Sequence, residues 1–305
     1  MHARALCLLA LLWFAACGAL AAAPVPGCET DRVLSWVQPP LSGLDVSELQ
    51  SRLQTLGFYQ GAVDGVFGPG TRNAVAQFQA GEGVPATGQV TDATWDLLAE
   101  GLAVPTVARL QPPSGEISLL VDANRLKLIV MADGKPYHTF PVAVGRGGTY
   151  LSTPVGNFKI INKDKGWGGG FGTRWLGLNV PEGIYGIHGT NKPWSIGSRA
   201  SHGCIRMFNH DVEVLWEWVK VGTPVTIIGP PADVPHRDPM QPGMSGPDVR
   251  NVQLRLQEGG FDPTFGADGR YGEATVQAVT RLQRLYGLPA DGTAYSDVQN
   301  LLFGR

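Results

Sequence analysis

The feature that most constrains the fold of this chain is an internal repeat, with one copy near each end. Residues 46–58 recur at 249–261, an offset of 203 (249 − 46), and residues 64–79 recur at 268–283 after one inserted residue, an offset of 204 (268 − 64). Self-similarity of this kind indicates one small supersecondary unit that is used twice. The first part of the repeat is carried by Val46, Leu49, Gln50, Leu53, Gln54, Gly57 and Phe58.

Each copy is predicted to form three short helices. In the first copy, Val46, Leu49 and Leu53 recur at the spacing of one helix face, and Gly57 ends that helix. Pro69 is a favourable first residue for a second helix. The residues expected to be buried by the second and third helices are Ala74, Val75, Phe78, Trp95, Leu97 and Leu98.

Both copies resemble the peptidoglycan-binding domain, a three-helix bundle. The resemblance is carried by Leu53–Tyr59, by the turn Asp64–Thr71 and by Ala74–Gln79. It implies that peptidoglycan is the ligand of each copy. Most of the matching positions are interpreted as apolar core, caps and turns, so no contact residue is assigned within either copy.

The segment between the copies changes its hydrophobic period from that of helices to that of strands. Runs rich in Val, Ile, Leu and aromatic residues, separated by turn signals such as Asp133–Gly134, predict a mostly-β domain. One amphipathic helix is expected near its end, with Asn209 as the N-cap. The strands are expected at Ile117–Val121, Arg125–Met131, Tyr137–Val144, Asn157–Ile161, Trp175–Val180 and Thr223–Ile228.

The candidate catalytic residues lie in one stretch of this central domain, from His188 to Cys204. These two residues are 16 positions apart (204 − 188). A thiol attacks efficiently only as the thiolate, so a catalytic cysteine needs a nearby base or a local positive field. Ser201, His202 and Gly203 place flexible backbone directly before the cysteine, where amides could stabilise an oxyanion. The pattern predicts thiol acyl transfer with Cys204 as nucleophile and His188 as base.

The same side chains allow other interpretations. His202 is assigned a supporting role rather than that of a second base, because one base suffices to activate a thiol. A zinc site built from His188, His202, Cys204 and His210 fits no standard ligand spacing, and the chain contains no CxxC pair. We therefore expect neither a metal nor another cofactor.

The central domain resembles the L,D-transpeptidase catalytic domain of the YkuD type. The matching motifs are Ser152–Gly156, Gly170–Gly172, Ile187–Thr190 and Ser201–Met207. The implied fold is multidomain: a mostly-β L,D-transpeptidase-like catalytic domain between two small three-helix-bundle modules.

The resemblance also implies a role for each site residue. Cys204 would accept the acyl group, and His188 would accept a proton and later return it. The carbonyl of Gly189 would orient the ring of the histidine, and Arg206 would bind a substrate carboxylate or help to hold the site. The residues implied to support the site, or to form its oxyanion hole with backbone amides, are Gly189, Ser201, His202, Gly203 and Cys204.

The implied reaction is a two-step acyl transfer on peptidoglycan. The cysteine takes the acyl group of the third residue of a tetrapeptide stem and releases D-alanine, and an amine of a second stem then forms a 3-3 crosslink. Water in place of the amine would make the same site an L,D-carboxypeptidase. Two further alternatives are a cell-wall hydrolase of the cysteine peptidase type, in whose familiar form the cysteine precedes the histidine, and a wall-binding protein without activity.

The N-terminus predicts export. His2 and Arg4 precede an apolar run, Ala5–Leu20, and small residues at Ala19–Ala23, which is the pattern of a secretory signal peptide. The formal net charge of −2 gives no electrostatic reason to expect nucleic acid as a partner. We expect a monomer that acts in the cell wall or periplasm.

Removal of the signal peptide would leave Cys28 and Cys204. Cys28 lies in a leader rich in proline and glycine, whereas Cys204 lies in a dense polar motif, so we expect no disulfide between them. The expected order along the chain is a signal peptide (1–23), a linker (24–44), a peptidoglycan-binding module (45–102), a linker (103–113), the catalytic domain (114–229), a linker (230–244) and a second module (245–305).

Overall fold

A computed structural model describes residues 32–102, 110–148, 151–165, 168–261 and 266–304. The expected signal peptide and Cys28 lie outside these described residues. Separate hydrophobic cores occupy the central domain, the N-terminal repeat copy and the C-terminal repeat copy. Within the described ranges, no helix is both long enough and apolar enough to cross a membrane.

The N-terminal copy, called the N-module below, is a bundle of three helices, as predicted. These are α1 (Leu44–Thr55), α2 (Pro69–Gly81) and α3 (Asp92–Ala99). Each helix buries one apolar face, and Val46, Leu49, Leu53, Val75 and Trp95 are all at most 1% exposed. Pro69 begins α2, where its missing N–H costs nothing.

The C-terminal copy, called the C-module below, repeats this bundle. Its helices are α5 (Pro247–Glu258), α6 (Glu273–Leu285) and α7 (Ser296–Phe303). The corresponding core residues Val249, Val252 and Leu256 are fully buried. The repeat in the sequence is therefore a repeat of the fold.

The repeated glutamine has a structural role that accounts for its recurrence. The Nε2 of Gln50 donates toward Asp64 Oδ1 (2.8 Å), the carbonyl of Val66 (3.1 Å) and the Oγ1 of Thr71 (3.1 Å), and its Oε1 accepts from the N–H of Gly65 (2.9 Å). The amide thus ties α1 to the Asp-Gly turn and to α2. Gln253 makes the same bonds to Asp268, Arg270, Thr275 and Gly269.

The segments preceding each module are packed rather than free, which corrects the expected linkers 24–44 and 230–244 in their described parts. Leu34 exchanges two backbone hydrogen bonds with Val90 and is fully buried in the N-module core. Met240 does the same with Ala294 in the C-module. Proline-rich sequence predicted loose chain, but each segment carries one apolar residue whose burial fixes it.

The strands of the central domain are β1 (Ile117–Asp122), β2 (Lys127–Ala132), β3 (Lys135–Pro141), β4 (Val144–Gly145), β5 (Gly156–Lys165), β6 (Arg174–Leu178), β7 (Tyr185–His188), β8 (Arg199–Ser201), β9 (Ile205–Arg206) and β10 (Pro224–Ile228). Eight of them form one sheet in the order β3-β2-β1-β10-β5-β6-β7-β9, beside a pair β4-β8. The pairs β1-β10, β7-β9 and β4-β8 are parallel, and the others are antiparallel.

The sheet curls so that its two edges meet. Ala143, which follows the edge strand β3, exchanges two 2.9 Å backbone hydrogen bonds with Arg206 of the opposite edge strand β9. Helix α4 (Asn209–Trp218) packs against β6 and β7 through Val212 and Leu215. The motif around Cys204 is therefore fixed where the sheet closes on itself.

The mostly-β prediction for the central domain is confirmed, with strand ends moved by a few residues. The Asp133–Gly134 turn connects β2 to β3, and both residues have positive φ (49° and 73°), as a two-residue hairpin turn requires. The short strands β4, β8 and β9 were not predicted, and β7 was expected only as the strand end that carries His188. Two or three residues carry too little periodicity to be recognised as strands.

Candidate active site

The predicted nucleophile and base lie on one face of the sheet. Strand pairing puts Trp175 of β6, His188 of β7 and Arg206 of β9 side by side. Successive residues of a strand point to opposite faces, so these three face away from Ile187 and Ile205, which belong to the core on the other side. Cys204 lies two residues before Arg206 and packs against Trp175.

The ring of His188 is held by its surroundings. It stacks on Trp175, with centroids 5.8 Å apart, and meets the edge of Phe171 at 5.2 Å. Its Nδ1 lies 2.6 Å from the carbonyl oxygen of Gly189. A carbonyl only accepts, so this contact places the proton on Nδ1 and leaves Nε2 as the atom able to take up a proton.

Ser201 fixes the turn that leads to Cys204. Its hydroxyl donates to the carbonyl of Cys204 at 2.6 Å and accepts the N–H of Gly203 at 3.1 Å. Gly203 has a φ of 126°, and an added Cβ would lie 2.7 Å from the ring of Tyr185 and 3.0 Å from the carbonyl of Ser152. Only glycine fits there. Burial raises the pKa of Tyr185 to about 12, so its phenol stays neutral against this turn.

The Gly203 amide does not have the role we expected. The backbone amides around His202, Gly203 and Cys204 were predicted to form an oxyanion hole, but the N–H of Gly203 already donates to Ser201. Serine two residues before an amide closes a local turn of this kind readily. In this arrangement the Gly203 amide is not available to an oxyanion.

The expectation that Cys204 forms no disulfide is wrong. Cys204 is disulfide-bonded, and the chain's other cysteines, Cys7, Cys17 and Cys28, all lie outside the described residues. The expectation rested on the composition around the cysteines, and composition does not determine which sulfurs meet in the fold. A sulfur held in a disulfide is not a nucleophilic thiolate, so acyl transfer by Cys204 would require prior reduction.

Arg206 has a partner from another domain. Its Nη1 lies 2.6 Å from Oε1 of Glu48 in α1 of the N-module, and the two side chains are only 10% and 6% exposed. Sequence reasoning assigned Arg206 to a substrate carboxylate or to the site's scaffold, and it did not identify Glu48. Nothing local in α1 distinguishes this glutamate from a solvated one.

Asn209 supports the site in a way that the sequence did not suggest. It was predicted to cap α4, yet the helix has no side-chain cap, and the Oδ1 of Asn209 instead accepts the N–H of Thr173 (3.2 Å) and of Thr190 (3.0 Å). Its oxygen also fills the space where Gly172 and Gly189 have no side chain. It therefore holds together the two loops that flank His188.

Profiles of two protein families match the chain. The L,D-transpeptidase catalytic domain matches residues 116–227, and the "Putative peptidoglycan binding domain" matches residues 42–98 and 245–301. The second match coincides with the two modules. The first contains the sheet, the His188 row and the Cys204 turn.

Similar proteins carry the same family name. The chain is 37% identical over 131 residues to "Putative L,D-transpeptidase YqjB" of Bacillus subtilis, a match covering 38% of this chain and 73% of that protein. The chain belongs to the L,D-transpeptidase family. It is also 46% identical over 111 residues to "Putative L,D-transpeptidase YkuD" of Bacillus subtilis, where the match covers 36% of this chain.

The chain spans 64% and 52% of the length of its YkuD relatives from Bacillus subtilis and Bacillus licheniformis. A solved L,D-transpeptidase from Xylanimonas cellulosilytica is 25% identical with a TM-score of 0.33, covering 68% of this chain and all of that one. This L,D-transpeptidase family member therefore combines a YkuD-type catalytic domain with peptidoglycan-binding modules on both sides.

Proposed function

We propose that the chain is a cysteine-dependent L,D-transpeptidase of peptidoglycan. The observation that supports this most is the shared face of His188 and Cys204, with the Nδ1 proton of the histidine directed to a carbonyl and Nε2 as the ring atom that accepts a proton. This is the arrangement that a thiol acyltransferase needs. Membership of the L,D-transpeptidase family supplies the substrate class.

The proposed first step begins once an external dithiol reductant has opened the disulfide of Cys204 by thiol–disulfide exchange, itself becoming oxidised, and has returned Cys204 to the thiol. Nε2 of His188 takes the thiol proton, and the thiolate attacks the carbonyl of the third residue of a tetrapeptide stem. The C–N bond to the terminal D-alanine breaks, and His188 returns the proton to the departing amine. A thioester on Cys204 and free D-alanine result.

In the second step an amine from the third residue of another stem attacks the thioester. His188 removes a proton from that amine, the C–S bond breaks, and the thiol of Cys204 is restored as a 3-3 crosslink forms. Ser201, Gly203 and Gly189 support the two reacting groups, His202 lies half-buried beside the cysteine, and Arg206 binds a carboxylate of the stem. No cofactor enters either step.

The modules give the proposed enzyme a permanent hold on its polymer. Binding through two flanking modules raises the local concentration of stems at the catalytic domain without adding contacts to the reacting atoms. We propose that the protein is exported by its N-terminal signal and works as a monomer outside the cytoplasm, in the cell wall or periplasm.

The test is mass spectrometry of the reduced, purified chain incubated with muropeptides that carry tetrapeptide stems. We expect a covalent adduct on the Cys204 peptide, release of D-alanine, and a crosslinked dimer. Stems shortened by D-alanine without dimers would instead identify an L,D-carboxypeptidase. No adduct and no altered muropeptide would refute the proposal, and carbapenem acylation of Cys204 provides an independent check.

A further inference from the structure

The N-module is docked directly on the catalytic face. Glu48 Oε1 meets Arg206 Nη1 at 2.6 Å with both side chains nearly buried. Because Arg206 lies beside His188 in the strand register and two residues after Cys204, the carboxylate of Glu48 stands on the same face as both. A carboxylate from another domain thus forms an ion pair with Arg206, the cationic group of the site.

A second contact joins the N-module to the loop after β7. Trp194, in a short 3-10 turn (Pro193–Ser195), packs against the N-module core, and its ring lies 6.2 Å from that of Trp95. The guanidinium of Arg52 stands 5.2 Å from the centroid of the Trp194 ring, and Nζ of Lys192 stands 4.4 Å from that of Trp95. Such cation–aromatic contacts add to the apolar packing.

A third contact closes the other side of His188. A 3-10 turn at Gly169–Phe171 packs against α3 of the N-module, and Phe171 is the residue whose ring lies 5.2 Å from that of His188. In this arrangement His188 is 3% exposed, and Cys204, whose sulfur is held in a disulfide, is 1% exposed. The N-module therefore stands between the His188 face and a peptide stem on an insoluble polymer.

The cleft beside the ion pair has the chemistry of an anion site. A cavity of about 370 Å³ lies between α1 and the catalytic domain, and it is bordered by Glu48, Arg146, Trp194 and Arg199. Among the described residues, Nε of Arg146 is buried without a hydrogen-bond partner. A carboxylate-bearing chain entering this cleft would meet Arg146 and Arg199 beside the Glu48–Arg206 pair, with Glu48 as the competing anion.

We propose that Arg206 is a carboxylate-binding subsite, that Glu48 fills it when the N-module covers the thiol, and that a stem carboxylate uncovers the thiol by replacing Glu48. Separating a buried ion pair leaves an unpaired buried charge, which is costly, whereas exchanging one carboxylate for another keeps Arg206 paired. The exchange therefore couples substrate binding to opening. The identity of the incoming carboxylate rests on the proposed function. The inference that the N-module covers Cys204, called the cover below, does not.

The cover is tested by the rate at which iodoacetamide alkylates Cys204 in the reduced full-length chain, followed on its tryptic peptide. Glu48→Gln should raise the plateau rate at high pH about tenfold. A factor of this size is typical of the coupling between two sites. Trp194→Ala, which loosens the same docking without changing charge, should raise it too. Equal plateau rates in wild type and both folded variants would overturn the proposal.

Two controls separate opening from other effects. A changed charge near the thiol would shift the pH midpoint of alkylation, whereas uncovering raises the plateau, so the full pH profile is measured for each variant. Arg250→Gln breaks the buried pair between Arg250 and Glu182 that holds the C-module. We expect its plateau to equal that of wild type; a rise as large as that of Glu48→Gln would overturn a specific role for the N-module.

The exchange is tested by hydrogen–deuterium exchange in Cys204→Ala, which binds without reacting. Adding a tetrapeptide stem should increase exchange in α1 and around Trp194, and the same peptide with its carboxylates amidated should not. No change with the free peptide would overturn the carboxylate exchange. Because alkylation needs no turnover, the cover remains testable even if the chain proves not to be a transpeptidase.

Discussion

The two modules share a fold and an internal hydrogen-bond network, but they present different charges to the catalytic domain. The N-module offers Glu48 to Arg206, and the C-module offers Arg250 to Glu182, Nη1 to Oε2 at 3.0 Å. The offset of 203 makes Arg250 the counterpart of Ser47 (250 − 203) and Asn251 the counterpart of Glu48 (251 − 203). Both modules therefore dock through the same turn of their first helix.

The difference shows which parts of a duplicated module can diverge. Gln50 and Gln253 are fixed because each satisfies a buried turn, whereas the exposed flank of the first helix is free to acquire new partners. The C-module adds a backbone contact, in which Asn157 N–H donates to the carbonyl of Ala267 at 2.9 Å. It braces the sheet at β5, and the N-module covers the catalytic face.

The largest expected effect is the loss of catalysis without loss of wall binding by the two modules. Cys204→Ala should abolish acyl-enzyme formation, because it removes the proposed nucleophile, and should leave binding to purified sacculi unchanged, because binding is assigned to the modules. Mass spectrometry measures the first and a pull-down the second. Residual crosslinking by this variant would contradict the assignment of the nucleophile.

The shared network should make the modules equally sensitive to loss of their glutamine. Gln50→Ala and Gln253→Ala each leave a buried turn amide unsatisfied, so each should lower the opening free energy of its own module by about 2–3 kcal/mol. Native-state hydrogen exchange of α1 and α5 reports the two separately. A large effect in one copy and none in the other would break the comparison.

The rate of acylation at the catalytic face, which the N-module covers, should depend on Asn209. Asn209→Ala removes the acceptor shared by Thr173 and Thr190, which should slow acylation of Cys204 about tenfold, roughly the 1.4 kcal/mol of one hydrogen bond. Asn209→Asp keeps the Oδ1 acceptor and should retain most of the rate. If the aspartate variant is as slow as the alanine variant, the contacts to these amides are not what matters.

The smallest predicted effect concerns the arginine–aspartate pair at the start of each module. The pair is Arg32–Asp45 in the N-module and Arg237–Asp248 in the C-module. Although burial opposes it, hydrogen bonds from Arg237 hold the pKa of Asp248 below its usual value. A lowered folded pKa stabilises the C-module above the ordinary pKa near 3.8, and this stability is lost as the pH falls through the folded value.

Asp248→Asn should therefore cost about 1 kcal/mol at pH 7, and this cost should shrink as the pH falls through the folded pKa of Asp248, measured by hydrogen exchange or urea unfolding. Asp45→Asn should cost less, because the Asp45 side chain is more exposed than that of Asp248, at 21% against 6%. A pH-independent loss in Asp248→Asn would contradict this account.

The sequence predicted what depends on local period and missed what depends on docking. The helices of both modules follow from apolar spacing, and the His188 and Cys204 motifs follow from residue types that thiol chemistry requires. Asn209 was misassigned because an asparagine before a helix can cap it or bond a distant loop, and the local pattern is the same. Glu48 could not be found, since its partner lies 158 positions away.

The backbone bridges at Leu34 and Met240 matter to anyone who cuts this protein into fragments. The family matches begin at residues 42 and 245, yet fragments started there would strand Val90 and Ala294 without their pairing partners and open a hole in each core. Expressed modules should therefore begin before residues 34 and 240. A truncated piece that aggregates would report a misplaced boundary rather than an unstable domain.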